Sequence, residues 1–440
     1  MKNRSPYHLD GVPHLGEAVP LGLQHILAMF VSNITPIVIV AGVLGISSED
    51  QRYLVQLTMF ISGLNTLMQV YSLGTVGAKL PIVVGTNFAF VPVAITVGLK
   101  YGYEGVMGAC LLGGFFEAFL GLYIKKLRKF FPPVVTGVVV LSIGLSLLPV
   151  GIQNMAGGLG SADYGSLSNF MVGATVIGVV VLFKHYGRGI WSTSAVIIGI
   201  AVGFILSIVL GKVDFTPMAQ VGYFTLPKPL TYGFAFKIDA ILAMALMYIV
   251  SAVETMGDMS SIAMGGAKRE VTDRELSGGI IADGLGCVLA SLFSILPTTS
   301  FSQNSGIIAM TGVMSRFVVG VGATILIICG FIPKIGALFS VIPASVVGGS
   351  LVMIFAMIVI SGINLITKEP LAGKNSIIVS VSLGLGFGLG NVPEALAHFP
   401  ETIQLIFGGS GIVVSGGIAV LLNQFLSVSK EKEAVLQEAQ

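Results

Sequence analysis

The chain has 440 residues, of which 54% are hydrophobic and only 10% charged, whereas a soluble globular chain carries about 25% charged residues. With 58 glycines, three cysteines and a net charge of +2, the composition excludes a disordered chain, a disulfide-stapled secreted domain and an ordinary soluble enzyme. It gives no electrostatic reason to expect nucleic acid and describes a polytopic membrane protein whose small residues let helix backbones approach in lipid.

In chain order, a polar tail over 1–19 precedes a run too long for the apolar part of a signal peptide. Apolar runs broken by Pro, Gly and charge clusters then predict fourteen spans. The first seven lie at 20–45, 53–73, 81–98, 105–124, 133–150, 169–183 and 191–210. After a connector over 211–236, seven more lie at 237–263, 277–293, 297–313, 316–332, 335–362, 375–390 and 403–426, followed by a polar tail over 427–440. With a cytoplasmic N-terminus, 17 Lys and Arg residues fall inside and 6 outside, the bias that positive-inside sorting produces. The chain is therefore predicted to be a multi-pass cell-membrane protein with both termini cytoplasmic. Cys110, Cys287 and Cys329 sit singly in apolar runs, without metal-ligand spacing, and read as packing residues.

Two segments resemble each other. LPIVVGTNFAF, with Pro81 and Asn87, and LPTTSFSQNSG, with Pro297 and Gln303, are 216 residues apart. The same displacement carries the first seven spans (20–210) onto the second seven (237–426). Because seven is odd, the halves are inverted in the membrane, the arrangement of many secondary transporters. The two segments combine Pro, β-branched residues and amides. A continuous helix through either proline would lose a hydrogen bond, so each is predicted to form a short extended stretch followed by a half-helix. Non-helical backbone at membrane depth is tolerated where it is buried in protein or lines a cavity, and paired interrupted spans point to a binding site.

Few ionisable residues fall inside the spans: Glu117, Glu254, Asp258 and Asp283, with His25 near the start of span one. Such groups are costly in lipid and are functional candidates by default. Glu254 and Asp258 are four apart and share a helix face. Two carboxylates on one buried face do not both ionise freely, which makes the pair a candidate proton carrier. Asp283, in IIADGLG, suits either proton relay or helix packing, and His25 either a proton shuttle or a structural bond. Glu117, between glycines in GGFFEAFLG, reads as structural.

The run QNSGIIAMTG, through Gln303, Asn304, Gly306, Thr311 and Gly312, resembles the signature motif of the nucleobase–ascorbate transporters, or nucleobase:cation symporter-2 family. ETMGD at Glu254–Asp258, GLQH at His25, the Asn87-Phe88 pair and Asp283 fit the same family. The resemblance spans essentially the whole chain. It implies an all-α protein of fourteen segments in two inverted seven-span repeats. A core domain would comprise spans 1–4 and 8–11 (20–124, 237–332), and a gate domain spans 5–7 and 12–14 (133–210, 335–426). It implies a homodimer that carries a purine nucleobase with a proton, less readily with sodium, and needs neither cofactor nor metal. Glu254 and Gln303 would hold the base, Phe88 would pack on it, and Asn87 and Asn304 would shape the site. Asp258, Asp283 and His25 would serve coupling or site architecture.

The chemistry agrees. A carboxylate accepts from the N–H groups of a purine dione, whereas an amide donates and accepts at once and matches a lactam edge. Gln followed by Asn resembles the xanthine and urate carriers, whereas uracil carriers tend to have Glu in the first position. Xanthine or urate is thus the expected substrate. The alternatives are uracil or another nucleobase, or an anion carried on the same architecture. An intramembrane aspartyl enzyme is disfavoured, because Thr255 stands where that motif has Gly and Ala282 precedes Asp283.

Overall fold

The computed structural model describes residues 6–127, 130–408 and 411–426. The predicted tail from 427 and the basic residues Lys2, Arg4, Arg128 and Lys129, which enter the orientation argument, lie outside the described residues. The first half contains α1 (Leu15–Val43), α2 (Ser48–Val70), strand β1 (Val84–Thr86), α3 (Val91–Leu127), α4 (Pro133–Met155), α5 (Leu167–Tyr186) and α6 (Ala195–Val209). The second contains α7 (Ile238–Ala267), α8 (Asp273–Leu292), strand β2 (Thr298–Ser300), α9 (Ser302–Thr311) and α10 (Arg316–Cys329). It continues with α11 (Pro333–Ser340), α12 (Ala344–Ile366), α13 (Lys374–Asn391) and α14 (Gly411–Phe425).

This is the predicted all-α membrane architecture of two inverted seven-span repeats. The displacement of 216 carries α6 onto α14 without remainder and β1 to within two residues of β2. Among the described residues, seven helices are long and apolar enough to cross a membrane unaided, and two bent pairs join them. The remaining segments are the short, broken or polar ones.

The breaks have physical causes. Helix α3 is interrupted at Gly102 (φ 74°, ψ 176°), a conformation open only to glycine without strain, so its first arm is the half-helix of the predicted span 81–98 and its second arm covers the predicted span 105–124. The predicted span 335–362 is likewise divided into α11 and α12 around Pro343. Proline has no N–H to donate and disfavours helical backbone in the residue before it. Helices α10 and α11 form a bent pair at 81°.

Helix α8 begins with a capping box. The Thr272 hydroxyl accepts from Glu275 N, and the Glu275 carboxylate accepts from Thr272 N at 2.8 Å. Arg269 adds an ion pair to Glu275 at 2.5 Å. Thr272→Ala is expected to cost about 1 kcal/mol, read as a lowered melting temperature of the purified protein.

Backbone packing divides the chain into two compact units. One runs to Ile124 and resumes over Leu148–Ile354; the other comprises Lys125–Leu147 and the chain from Phe355. The second unit has its own core, in which Val134, Val138 and Leu141 of α4 meet Ile366, Ile378 and Ala419. Every candidate site residue belongs to the first unit. There, Asp163 is bonded by Lys212 at 2.8 Å, and that contact holds its exposed carboxyl below the usual range.

Candidate functional site

The two segments predicted to be extended do pair. β1 and β2 form an antiparallel ladder with Val84 opposite Ser300, Gly85 opposite Thr299 and Thr86 opposite Thr298. Asn87 N→Pro297 O (2.9 Å) and Phe301 N→Val83 O (3.0 Å) extend it at both ends. All six strand residues are buried. Each repeat thus supplies one strand, and each strand leads into a helix.

Helix α2 supports this ladder with a polar stripe, Ser62, Asn65, Thr66 and Gln69, at the spacing of one helix face. Asn65 Nδ2 donates to Thr298 Oγ1 and Gly286 O, both at 3.0 Å. Thr66 Oγ1 accepts from Val84 N at 3.0 Å, and Gln69 Nε2 donates to Gly279 O at 2.8 Å. From α1, Asn33 Oδ1 accepts from Ser62 Oγ and Thr86 N, each at 2.9 Å. These bonds satisfy buried polar groups that would otherwise cost about 1–3 kcal/mol each. Sequence reading missed this stripe, although its spacing is visible in ISGLNTLMQV.

Beyond β1, Asn87 has extended backbone, and its Oδ1 caps the turn Phe88–Phe90 by accepting from Ala89 N at 2.8 Å. The cap fixes the amide, so Nδ2 faces Glu254 and donates to Oε2 at 3.1 Å. Phe88 is buried beside it. Beyond β2, Asn304 in the first turn of α9 donates to His25 O at 2.9 Å and lies 3.1 Å from His25 Nδ1. With the amide donating, Nδ1 accepts and the ring proton lies on Nε2. Asn304→Ala is expected to weaken ligand binding about tenfold by releasing His25 and the start of α9, at roughly 1.4 kcal/mol per decade. Equilibrium binding of radiolabelled ligand measures it.

Helix α7 carries the carboxylates Glu254 and Asp258. Asp258 Oδ2 accepts from Ser300 Oγ at 2.6 Å. Thr255, between them, donates to Asp283 Oδ2 of α8 at 2.5 Å and lies 2.9 Å from Thr299 Oγ1. Thr299 also reaches Asp283 Oδ2 at 3.3 Å, and Ser300 Oγ lies 3.5 Å from Thr255 Oγ1. Three carboxylates from two helices are therefore joined to the strand crossing: Glu254 through Asn87, Asp258 through Ser300, and Asp283 through Thr255 and Thr299. His25 is tied to Asn304 and makes no bond to these carboxylates among the described contacts. The hydroxyl linkers Thr255, Thr299 and Ser300 were not singled out from sequence.

One side of this constellation is open. Gly257 of α7 and Gly306 of α9 are exposed, and a Cβ built on either meets nothing within 4 Å. Ser302 is exposed, and Glu254 and Gln303 are half-buried. The open strip thus runs past the predicted ligand contacts on two packed helices. Among the described residues, ion pairs involve Lys100–Asp239, Lys212–Asp163, Arg269–Glu275 and Arg316–Asp10. None includes a carboxylate at the crossing.

Comparison with known proteins identifies the family. The model of the permease family designated Xan_ur_permease matches residues 16–395. The chain belongs to the nucleobase–ascorbate permease family. This permease is 36% identical over 447 residues to xanthine permease XanQ of Escherichia coli strain K12, covering 98% of this chain and 95% of that protein. It is 35% identical to uric acid permease PucJ of Bacillus subtilis strain 168, covering 96% and 95%. Among solved structures, the transmembrane domain of the cyanobacterial bicarbonate transporter BicA superposes with TM-score 0.60 at 15% identity, covering 93% of the permease and 98% of that chain. At that identity the likeness concerns the fold.

Proposed function

We propose that this permease carries xanthine or urate across the cell membrane together with a proton, by alternating access, with both termini cytoplasmic. The observation that carries the reading is the Glu254 carboxylate, bonded by Asn87 at 3.1 Å from the opposite repeat and half-buried on the open strip. A half-buried carboxylate accepts strongly from the N–H edge of a dioxopurine, while the Gln303 amide pairs with a lactam. The names of the relatives, a xanthine and a uric acid permease, favour the same substrates. An acidic pair on α7 disfavours the anion alternative, despite the fold shared with a bicarbonate transporter.

The proposed cycle follows from charge. Outward-open, one carboxylate of the Glu254/Asp258 region takes a proton, which lowers repulsion and readies the site. The base then binds between the half-helices, with Glu254 and Gln303 on its edge and Phe88 packing on it. The loaded core of spans 1–4 and 8–11 moves against the gate of spans 5–7 and 12–14, and the proton leaves on the less acidic side. Movement only when both ligands or neither are bound couples the two fluxes. By family resemblance, the working unit is a homodimer.

The test is uptake of radiolabelled xanthine in cells lacking their own purine carriers, with urate, uracil, guanine and hypoxanthine as competitors and with a protonophore. Protonophore-sensitive uptake blocked by xanthine or urate is expected. Uptake blocked chiefly by uracil or hypoxanthine overturns the substrate assignment, and uptake indifferent to the protonophore overturns the coupling.

A further inference from the structure

The proposed cycle uses Glu254 and Asp258 and leaves two buried acids without a part, Asp283 at the crossing and Glu117 behind it. Glu117, on the second arm of α3, is 0% exposed. It lies on the face that presents Gly114 and Gly121 to α8, where Gly114 abuts Gly284 and Gly121 abuts Ile281. Ser277 Oγ donates to Gly121 O at 2.8 Å across the same seam. The glycines let the two backbones touch, and Glu117 enters α8 at the turn bearing Asp283 and Cys287. Its Oε2 lies 3.8 Å from Cys287 Sγ, which also lies 3.1 Å from Thr298 O and 3.9 Å from Thr298 Oγ1.

Glu117 has polar and titratable neighbours on both α8 and α7. Asp283 and Cys287 lie beside it on α8, and on α7 Glu254 and the hydrogen-bonding Ser251 hydroxyl; the Tyr248 hydroxyl of α7 donates to Cys110 O at 2.8 Å. None is a cation. Glu117 Oε1 and Asp283 Oδ1 are both buried without a hydrogen-bond partner among the described atoms. A structural carboxylate in an apolar seam normally has its lone pairs satisfied; here Asp283 Oδ1 has no donor among the described atoms, and the Ser251 hydroxyl is the donor available beside Glu117 Oε1. Asp283 is also the inner end of the hydroxyl chain from Asp258 through Ser300 and Thr255.

We propose that Glu117 is a further proton-carrying residue of this permease, the inner end of a path that starts at Asp258 and passes through Asp283. In the step, the carboxylic O–H of Asp283 gives its proton to the Glu117 carboxylate. One O–H bond breaks and one forms, and Asp283 is left ionised to accept from Thr255 and Thr299. The return step reverses this. Glu117 contacts no substrate. It stores the proton away from the open strip, which prevents leakage while the substrate site is empty. This assignment rests on the proton-coupled reading above.

The test uses full-length protein in proteoliposomes with an imposed pH gradient and radiolabelled xanthine as probe. It compares wild type, Glu117→Gln and Glu117→Asp. Wild type is expected to accumulate xanthine. Glu117→Gln should lose gradient-driven accumulation at least tenfold while equilibrium binding changes by less than twofold and xanthine–xanthine exchange persists. Glu117→Asp should recover part of the accumulation, and the pH-induced infrared carboxyl difference band of wild type should be missing from Glu117→Gln. Wild-type accumulation with unchanged pH dependence in Glu117→Gln overturns the assignment while leaving proton coupling intact. Joint loss of binding, exchange and accumulation in both variants shows a packing role and also overturns it. Wild type that exchanges xanthine but ignores the pH gradient overturns the coupling reading and, with it, this role.

Discussion

Glu254→Gln is expected to weaken ligand binding by about ten- to a hundredfold and to reduce uptake in parallel. Glutamine keeps an oxygen that accepts from Asn87 at the position of the 3.1 Å bond, so the site's shape survives. What disappears is the charge, and hydrogen bonds to charged groups are worth about 1.5–3 kcal/mol, where 1.4 kcal/mol is a factor of ten. The substitution also places an NH2 group where the ligand presents its own N–H, turning attraction into a donor–donor clash. Equilibrium binding and initial uptake rates in the same membranes measure the effect. Normal uptake with an intact proton dependence would remove Glu254 from both binding and coupling.

The second large effect is structural. Gly284→Val is expected to lower the yield and the detergent melting temperature of the folded protein, at a cost of about 3 kcal/mol. A Cβ at Gly284 would lie 2.2 Å from Ala118 N and 2.6 Å from Gly114 O. Both are backbone atoms, so no side chain can swing aside and α3 must retreat from α8. That retreat also separates Glu117 from Asp283. Gly178→Ala is the matched control. A Cβ there meets nothing within 4 Å, and alanine is favoured over glycine in a helix by up to about 1 kcal/mol. The pair should therefore move the detergent melting temperature in opposite directions. Equal loss in both would show that glycine content, not the α3–α8 contact, sets stability.

Much of this architecture is legible in the sequence because the membrane makes exceptions conspicuous. Pro81 and Pro297 mark helices that cannot be continuous, and their spacing reveals the duplication before any contact is known. Glu254, Asp258 and Asp283 stand out because a carboxylate in an apolar run needs a reason. The linkers are hidden for the opposite cause. Thr35 bonds back to Val31 O at 2.7 Å and Thr58 to Leu54 O at 2.8 Å, the ordinary habit of hydroxyls in such helices. Nothing in the sequence separates those from Thr255, which reaches another helix. The Gly102 break is similarly hidden among glycines that serve only packing. Glu117 reads as structural from its glycine neighbours, and those same glycines bring it against α8.

The strand crossing also bears on how the protein is made. The residues of β1 emerge from the ribosome more than two hundred positions before their partners in β2, and an unpaired strand edge is not tolerated in hydrocarbon. The first half must therefore wait in a provisional state, its strand sheltered by α2 or held outside the lipid, until the second half is inserted. Neither half completes the crossing alone. Two separately expressed halves should be degraded singly and rescued together, and the paired crossing is the last part of the molecule to exist.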